Sequence, residues 1–166
     1  MRLRWLVLVL VLTVSGCSLF SSSPTFRERD PLNGLGRQAA LTLERTPLWQ
    51  KGAAQPVLVV PPTTIDHHFP TPVGHFRDAL ARALLAKSET LQVIAWPGPA
   101  PRPTQANQWL LETSLEARAP LSLSDRTLYP YTLTMRLYQS GQDAPVWQTR
   151  SSGAFDEQAL NTTRRY

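Results

Sequence analysis

Several things are scarce in this chain, and each scarcity excludes something. Its 166 residues hold a single cysteine, Cys17, so no disulfide can close within the chain. Two lysines stand beside fifteen arginines, and charged residues make up only 17% of the total. No run of basic residues stands out, which leaves no footprint for nucleic acid. The longest apolar run, Trp5 to Val14, is far short of the about 20 residues that a helix needs to cross a bilayer. No G-x-S-x-G elbow, Walker loop, G-x-G-x-x-G turn or C-x-x-C pair occurs, so the usual signatures of hydrolases, nucleotide enzymes and dithiol oxidoreductases are missing.

The first seventeen residues carry the strongest signal present. Arg2 and Arg4 give a positive start, Trp5 to Val14 give a short apolar run, and Val14-Ser15-Gly16-Cys17 places small residues before a cysteine. Charge, run length and small residues together form a secretory signal peptide over residues 1–16. The last four residues resemble the lipobox of bacterial lipoproteins. That resemblance implies a diacylglycerol on the Cys17 thiol, cleavage just before it and an acyl chain on the new amine. It implies no other cofactor. Ser18 rather than Asp follows Cys17, which resembles the outer-membrane sorting pattern. Several acyl chains make such an anchor effectively stable, where one gives only marginal binding. Cleavage removes two arginines and lowers the formal charge from +5 to +3.

The mature chain divides by composition. Residues 17–54 read as the lipidated cysteine and a tether, beginning with Ser- and Pro-containing sequence that lacks an apolar period. Within it Leu35, Ala39 and Leu43 recur every four residues. Asn33 is placed to cap and Pro47 to stop, predicting a short helix or ordered arm over residues 33–45. A flexible tether from Ser18 to Ala54 reaches about 30–40 Å on average. A folded domain is expected over residues 55–155, followed by a tail, 156–166, that forms one weak helix or frays.

Inside the domain, Val57 to Val60 before Pro61-Pro62 reads as a buried central strand. Val73, Phe76, Leu80 and Leu84 mark an amphipathic helix over roughly residues 73–87. Leu91, Val93 and Ala95 alternate as a second strand before the proline-rich stretch 97–104, which no ladder can enter. Residues 109–118 fit both a helix, with Glu112 and Glu116 stacked, and a strand. We choose strand, because Ala119-Pro120 ends it and the next segment resembles its partner. Residues 127–139 alternate clearly, with Tyr131, Leu133, Met135 and Leu137 on one face. Turn residues 140–143 lead to a short returning strand over 145–151. The order β-α-β-β-β, with the first two strands parallel, gives an α+β two-layer sandwich: a mixed sheet with a helix packed on one face.

The order and spacing of these pieces resemble a known family. The valine-rich strand, the helix segment FRDALARALL and the LQVI strand come first. Ala106 to Leu115, Tyr131 to Tyr138 and Val146-Trp147-Gln148 follow. Together they are similar to the lipoprotein activators of class A penicillin-binding proteins, the LpoB type, whose core is shared with a curli-secretion lipoprotein and the amino-terminal domain of TolB. The resemblance covers residues 55–150 and the lipobox. It implies a non-enzymatic protein, lipid-anchored on the periplasmic face of the outer membrane, that binds a peptidoglycan synthase and raises its activity. The chain departs from the pattern where a usual third-strand glycine is replaced around Glu112-Thr113, and in the shortness of its tether. An accessory lipoprotein of an envelope ABC-type lipid transport system is the alternative.

Candidate site residues are few. His67, His68 and His75 lie near Asp66, but adjacent histidines in a proline-bounded loop rarely converge on one ion, and no metal site is assigned. Glu112 and Glu116 are about 13 Å apart on a strand, wider than the roughly 5–10 Å of a glycosidase pair. No catalytic residue is assigned. Tyr129, Tyr131, Tyr138 and Trp147 are candidate anchors. Tyr138, on the face opposite Leu133 and Leu137, is the surface candidate. Arg118 and Arg126 bracket a loop and can pair with carboxylates of a partner.

Overall fold

The computed structural model describes residues 30–46, 55–67, 69, 74–88 and 90–162. The signal peptide, Cys17, His68 and residues 163–166 lie outside them. Helix α1 spans Pro31–Glu44. Strands β1 (Val57–Val60) and β2 (Thr64–Ile65) follow, then helix α2 (His75–Leu85) and strand β3 (Gln92–Ala95). Next come β4 (Gln108–Ala117), β5 (Leu121–Ser122), β6 (Thr127–Gln139) and β7 (Trp147–Asp156), and a short helix α3 (Glu157–Thr162) closes the described chain.

The seven strands form one mixed sheet. β1 lies between β3 and β4 and is parallel to both. β2 continues the lane of β1 by pairing with Ser114 and Leu115 further along β4. β6 pairs antiparallel with β4 on one side and β7 on the other. The lane of β4 continues through Arg118, whose N–H bonds the Pro130 carbonyl, into β5 opposite Leu128. The fold is thus the expected α+β sheet with helices on one face.

Alternation decides which face that is. Leu58 and Val60 of β1, Leu111 and Leu115 of β4, and Leu133, Met135 and Leu137 of β6 point to the helices and are buried in one core. Phe76, Leu80 and Leu84, spaced by four on α2, meet them with essentially no exposure. Gly74 precedes α2 at φ 112°, a conformation that favours glycine. A buried hydrogen bond of 2.8 Å between the hydroxyls of Thr63 and Thr113 ties the β1–β2 connection to β4.

Three boundaries differ from the sequence reading. First, α1 begins at Pro31 and is capped by Asp30, whose Oδ1 accepts from the Leu32 N–H at 2.9 Å; Asn33 lies inside the helix. Second, α1 belongs to the core. Leu32, Leu35, Ala39, Ala40 and Leu43 are buried in the same cluster as Leu58, so the boundary expected at residue 55 cuts through one packed unit. Gly36 makes the approach close: a Cβ there would lie 2.9 Å from backbone atoms of Ala79 and Leu80. Third, β7 runs to Asp156 rather than ending at Ser151. Its second half lacks apolar alternation because Gly153 leaves room for the ring of Tyr131, which stacks on Phe155 with centroids 4.5 Å apart. Leu160 of α3 is buried, so the region expected as a tail contributes to the core.

The helices run in opposite directions. Asn33 meets Arg82 at 3.1 Å, while Gly36 meets Ala79 and Leu80. Arg77, near the start of α2, donates to the carbonyl of Trp96 just past the end of β3. The start of α1 therefore lies at the end of the sheet where β1, β3 and β4 begin. The β5–β6 turn, closed by the Leu123 N–H on the Arg126 carbonyl, lies at the other end.

Candidate functional site

The face of the sheet turned away from the helices is polar. β4 contributes Glu112, Ser114 and Glu116; β6 contributes Thr132, Thr134, Arg136 and Tyr138; β7 contributes Gln148, Arg150 and Ser152. Glu112 is directly opposite Arg136, yet no ion pair joins them. The residues after β3 bend over this face and leave a groove of about 490 Å³ lined by Pro62, Pro97, Pro99, Glu112, Ser114 and Arg136, among others. Arg136 is half-buried in its wall. Next to it, the Oγ1 of Thr134 is buried without a hydrogen-bond partner.

Tyr138 sits on this outer face opposite Leu110. Burial raises its phenol pKa, and the charge and hydrogen bond of Glu112 raise it further, against a smaller lowering by Arg136. Tyr129, Tyr131 and Trp147 instead pack against the core. Arg118 and Arg126 are exposed at the far end. Arg126 pairs with Asp125 at 2.5 Å and with Asp156 at 3.7 Å. That partnership holds the Asp125 carboxyl below its ordinary value and raises the guanidinium. Along β4, Arg118 is eight residues beyond the partner of Tyr138, about 26 Å at the rise of a strand. The structure therefore separates Tyr138 from the two arginines. Beside the arginines it places Leu121 and Leu123, which are 55% and 53% exposed. The sequence reading did not single out these leucines, although their L-S-L alternation between two arginines was visible.

Among the described residues, no three His, Cys, Asp or Glu side chains come together to hold a metal. His67 is exposed 3.4 Å from Asp66, and His75 opens α2. Glu112 lines the groove and Glu116, four residues further along β4 on the same face, is exposed, a spacing wider than that of a glycosidase pair. Among the described residues, no helix is long and apolar enough to cross a membrane.

With the sheet order and the two faces in hand, the chain can be compared with solved structures. Its fold is similar to that of the LpoB C-terminal domain. The domain from Salmonella enterica superposes with a TM-score of 0.50 at 11% identity, over 74% of this chain and 97% of that one. The domain from Escherichia coli gives a TM-score of 0.49 at 12% identity over the same shares. A protein of Xanthomonas campestris, XCC0632, matches at 0.37 with 14% identity, over 68% of this chain and 78% of that one. No protein-family model matches the chain, and no curated protein matches its sequence. At this identity the likeness to the LpoB domain is one of fold.

Proposed function

We propose that this chain is a non-enzymatic envelope lipoprotein, anchored through Cys17 in the outer membrane, that docks on a class A penicillin-binding protein and raises its peptidoglycan synthesis. One observation carries the reading: the described fold corresponds to nearly the whole LpoB C-terminal domain. The lipobox resemblance at Cys17 supports the anchor. Docking is assigned to the β5–β6 end, where Leu121 and Leu123 are exposed between Arg118 and Arg126. The chain enters α1 at the opposite end, so a membrane anchor leaves this tip outermost. Apolar side chains flanked by arginine suit a hot spot on a protein partner. Capture of the tagged, full-length protein from detergent-solubilised envelope should recover a class A penicillin-binding protein. Leu121→Asp with Leu123→Asp should lower that recovery at least tenfold. Recovery of a different complex, or none, refutes the assignment.

A second reading is favoured by a different observation. Because α1 is part of the domain, only the thirteen residues from Ser18 to Asp30 separate Cys17 from it. Fully extended they span at most about 45 Å. So short a link favours a partner close to the membrane, as in an accessory lipoprotein of an ABC-type lipid transport system. Co-purification with transport components and lipid instead of a synthase would select it.

A further inference from the structure

A sheet edge in a small domain is a hazard unless something blunts it. The two edges of this sheet are treated differently. β3 has four residues and runs into Pro97, Pro99 and Pro101, which cannot extend a ladder. β7 has ten residues, with no proline and no lysine, and its register with β6 runs from Leu128↔Asp156 to Leu137↔Trp147 without a bulge.

The direction of its free backbone groups follows from the ladder. The Arg118 N–H bonds to the Pro130 carbonyl, so even-numbered residues of β6 bond toward β4. Bonding alternates along an antiparallel strand. Odd-numbered residues of β6 therefore bond to the odd-numbered residues of β7. Gln148, Arg150, Ser152 and Ala154 are left with their N–H and C=O groups directed outward, and all four are exposed. Nothing among the described residues pairs with this edge. Helix α3 turns inward, with Leu160 in the core, and leaves it open.

The charges on the strand choose an occupant. Arg150 is exposed and has no ion-pair partner among the described residues. Asp156 is six residues on, with the same parity and hence on the same face. An antiparallel copy of β7 can meet this edge only with even residues opposite even ones. Among those registers, one centred on Arg150 opposes two like charges. One centred on Gly153 puts each Arg150 opposite an Asp156, twice by the two-fold symmetry. Directly opposed side chains in such a pair have Cβ atoms about 5 Å apart, within ion-pair reach.

We propose that the outer edge of β7 pairs with the same edge of a second copy of this chain, antiparallel about Gly153, with Arg150 of each copy facing Asp156 of the other. The two sheets then form one continuous sheet across the dimer. This pairing goes beyond the docking reading above and does not depend on which envelope partner is correct.

The test uses two full-length copies carrying different tags, co-expressed and captured in mild detergent. The wild-type copies should capture each other. Ser152→Pro removes an outward N–H and no backbone bond to β6, only the 3.4 Å hydroxyl contact of Ser152 with Thr132, and should reduce capture at least tenfold. Arg150→Asp copies should fail to capture one another, as should Asp156→Arg copies. An Arg150→Asp copy should nevertheless capture an Asp156→Arg copy, because both ion pairs are restored in that combination. Asp156 also accepts from the Gln158 N–H and lies 3.7 Å from Arg126, so each variant is checked for an intact thermal transition. Ser152→Pro spares both contacts, and Ser152→Ala, which keeps the outward N–H but lacks the hydroxyl contact with Thr132, should capture like the wild type. Absence of wild-type capture, equal capture by Ser152→Pro, or failure of the mixed charge pair overturns the proposal.

Discussion

Replacing Gly36 by alanine puts a methyl carbon 2.9 Å from the Ala79 carbonyl carbon and the Leu80 nitrogen, and 3.0 Å from the Ala79 Cβ. Two of these three atoms are backbone of α2, so no rotamer change relieves the contact. Overpacking of this kind costs about 1–3 kcal/mol. Alanine returns about 1 kcal/mol of helix propensity over glycine. The net expectation for Gly36→Ala is a loss of about 0–2 kcal/mol. Leucine at the same position must push the helices apart or undock α1. Undocking would expose Leu32, Leu35 and Leu43, each worth about 1.5–3 kcal/mol of burial. Whichever response is cheaper sets the cost. Gly34 provides the control two residues away, since nothing lies within 4 Å of a Cβ there. Gly34→Ala should gain about 0.5–1 kcal/mol. Guanidinium and thermal unfolding of the full chain should then move in opposite directions for the two variants, by a few degrees per kcal/mol. If both substitutions raise stability alike, α1 does not lie against α2, and the reading of residues 17–54 as one tether is restored.

Further predictions concern the sheet. A Cβ at Gly153 would lie 2.6 Å from the Tyr131 hydroxyl. Gly153→Ala should therefore cost about 1–2 kcal/mol, and much less on a Tyr131→Thr background, a non-additivity that a double-mutant cycle measures. Thr134→Val removes a buried hydroxyl without a partner and should stabilise by about 1 kcal/mol. Thr113→Val leaves the Thr63 hydroxyl unpaired and should destabilise by a similar amount in the same denaturation assay. Burial raises the phenol pKa of Tyr131, and burial with Glu112 raises that of Tyr138. The folded chain keeps these protons longer than the unfolded chain. Their contribution is full below the ordinary tyrosine value of about 10 and is lost as pH rises through the folded values. Denaturation midpoints should fall in that window, and Tyr131→Phe should flatten the decline.

The sheet was legible where apolar and polar residues alternate. β6 declares itself because Tyr131, Leu133, Met135 and Leu137 alternate with Thr132, Thr134, Arg136 and Tyr138. The structure buries Leu133, Met135 and Leu137 in the core with Tyr131 half-buried beside them, and it also buries Thr132 and Thr134 on the opposite face, which alternation did not foretell. The outward position of Tyr138 followed from the same parity. The docking of α1 was not legible, because Leu35, Ala39 and Leu43 describe an amphipathic helix whether or not something covers it. Gly36, which the periodicity of that helix passes over, is its point of closest approach to α2. The second half of β7 was hidden for a related reason: the side chain that fills the space over Gly153 belongs to Tyr131 on the neighbouring strand. The groove could not be read either, since proline in residues 97–104 says where a ladder stops and not which face the chain then crosses. The distance between Tyr138 and Arg118, by contrast, was available from residue counting once both flanking segments were read as strands.

The antiparallel packing of α1 on α2 has a mechanical consequence. A pull on the chain ahead of Asp30 enters α1 at its first turn and acts along the helix axis. Leu32, Leu35, Ala39 and Leu43 are then loaded together, in shear, because the helix must slide past Ala79 and Leu80 before any one of them is released. A helix peeled from its far end would instead give up these contacts one at a time. Strain from the side of the chain that carries Cys17 thus enters the domain through the joint between α1 and α2 before it reaches the sheet.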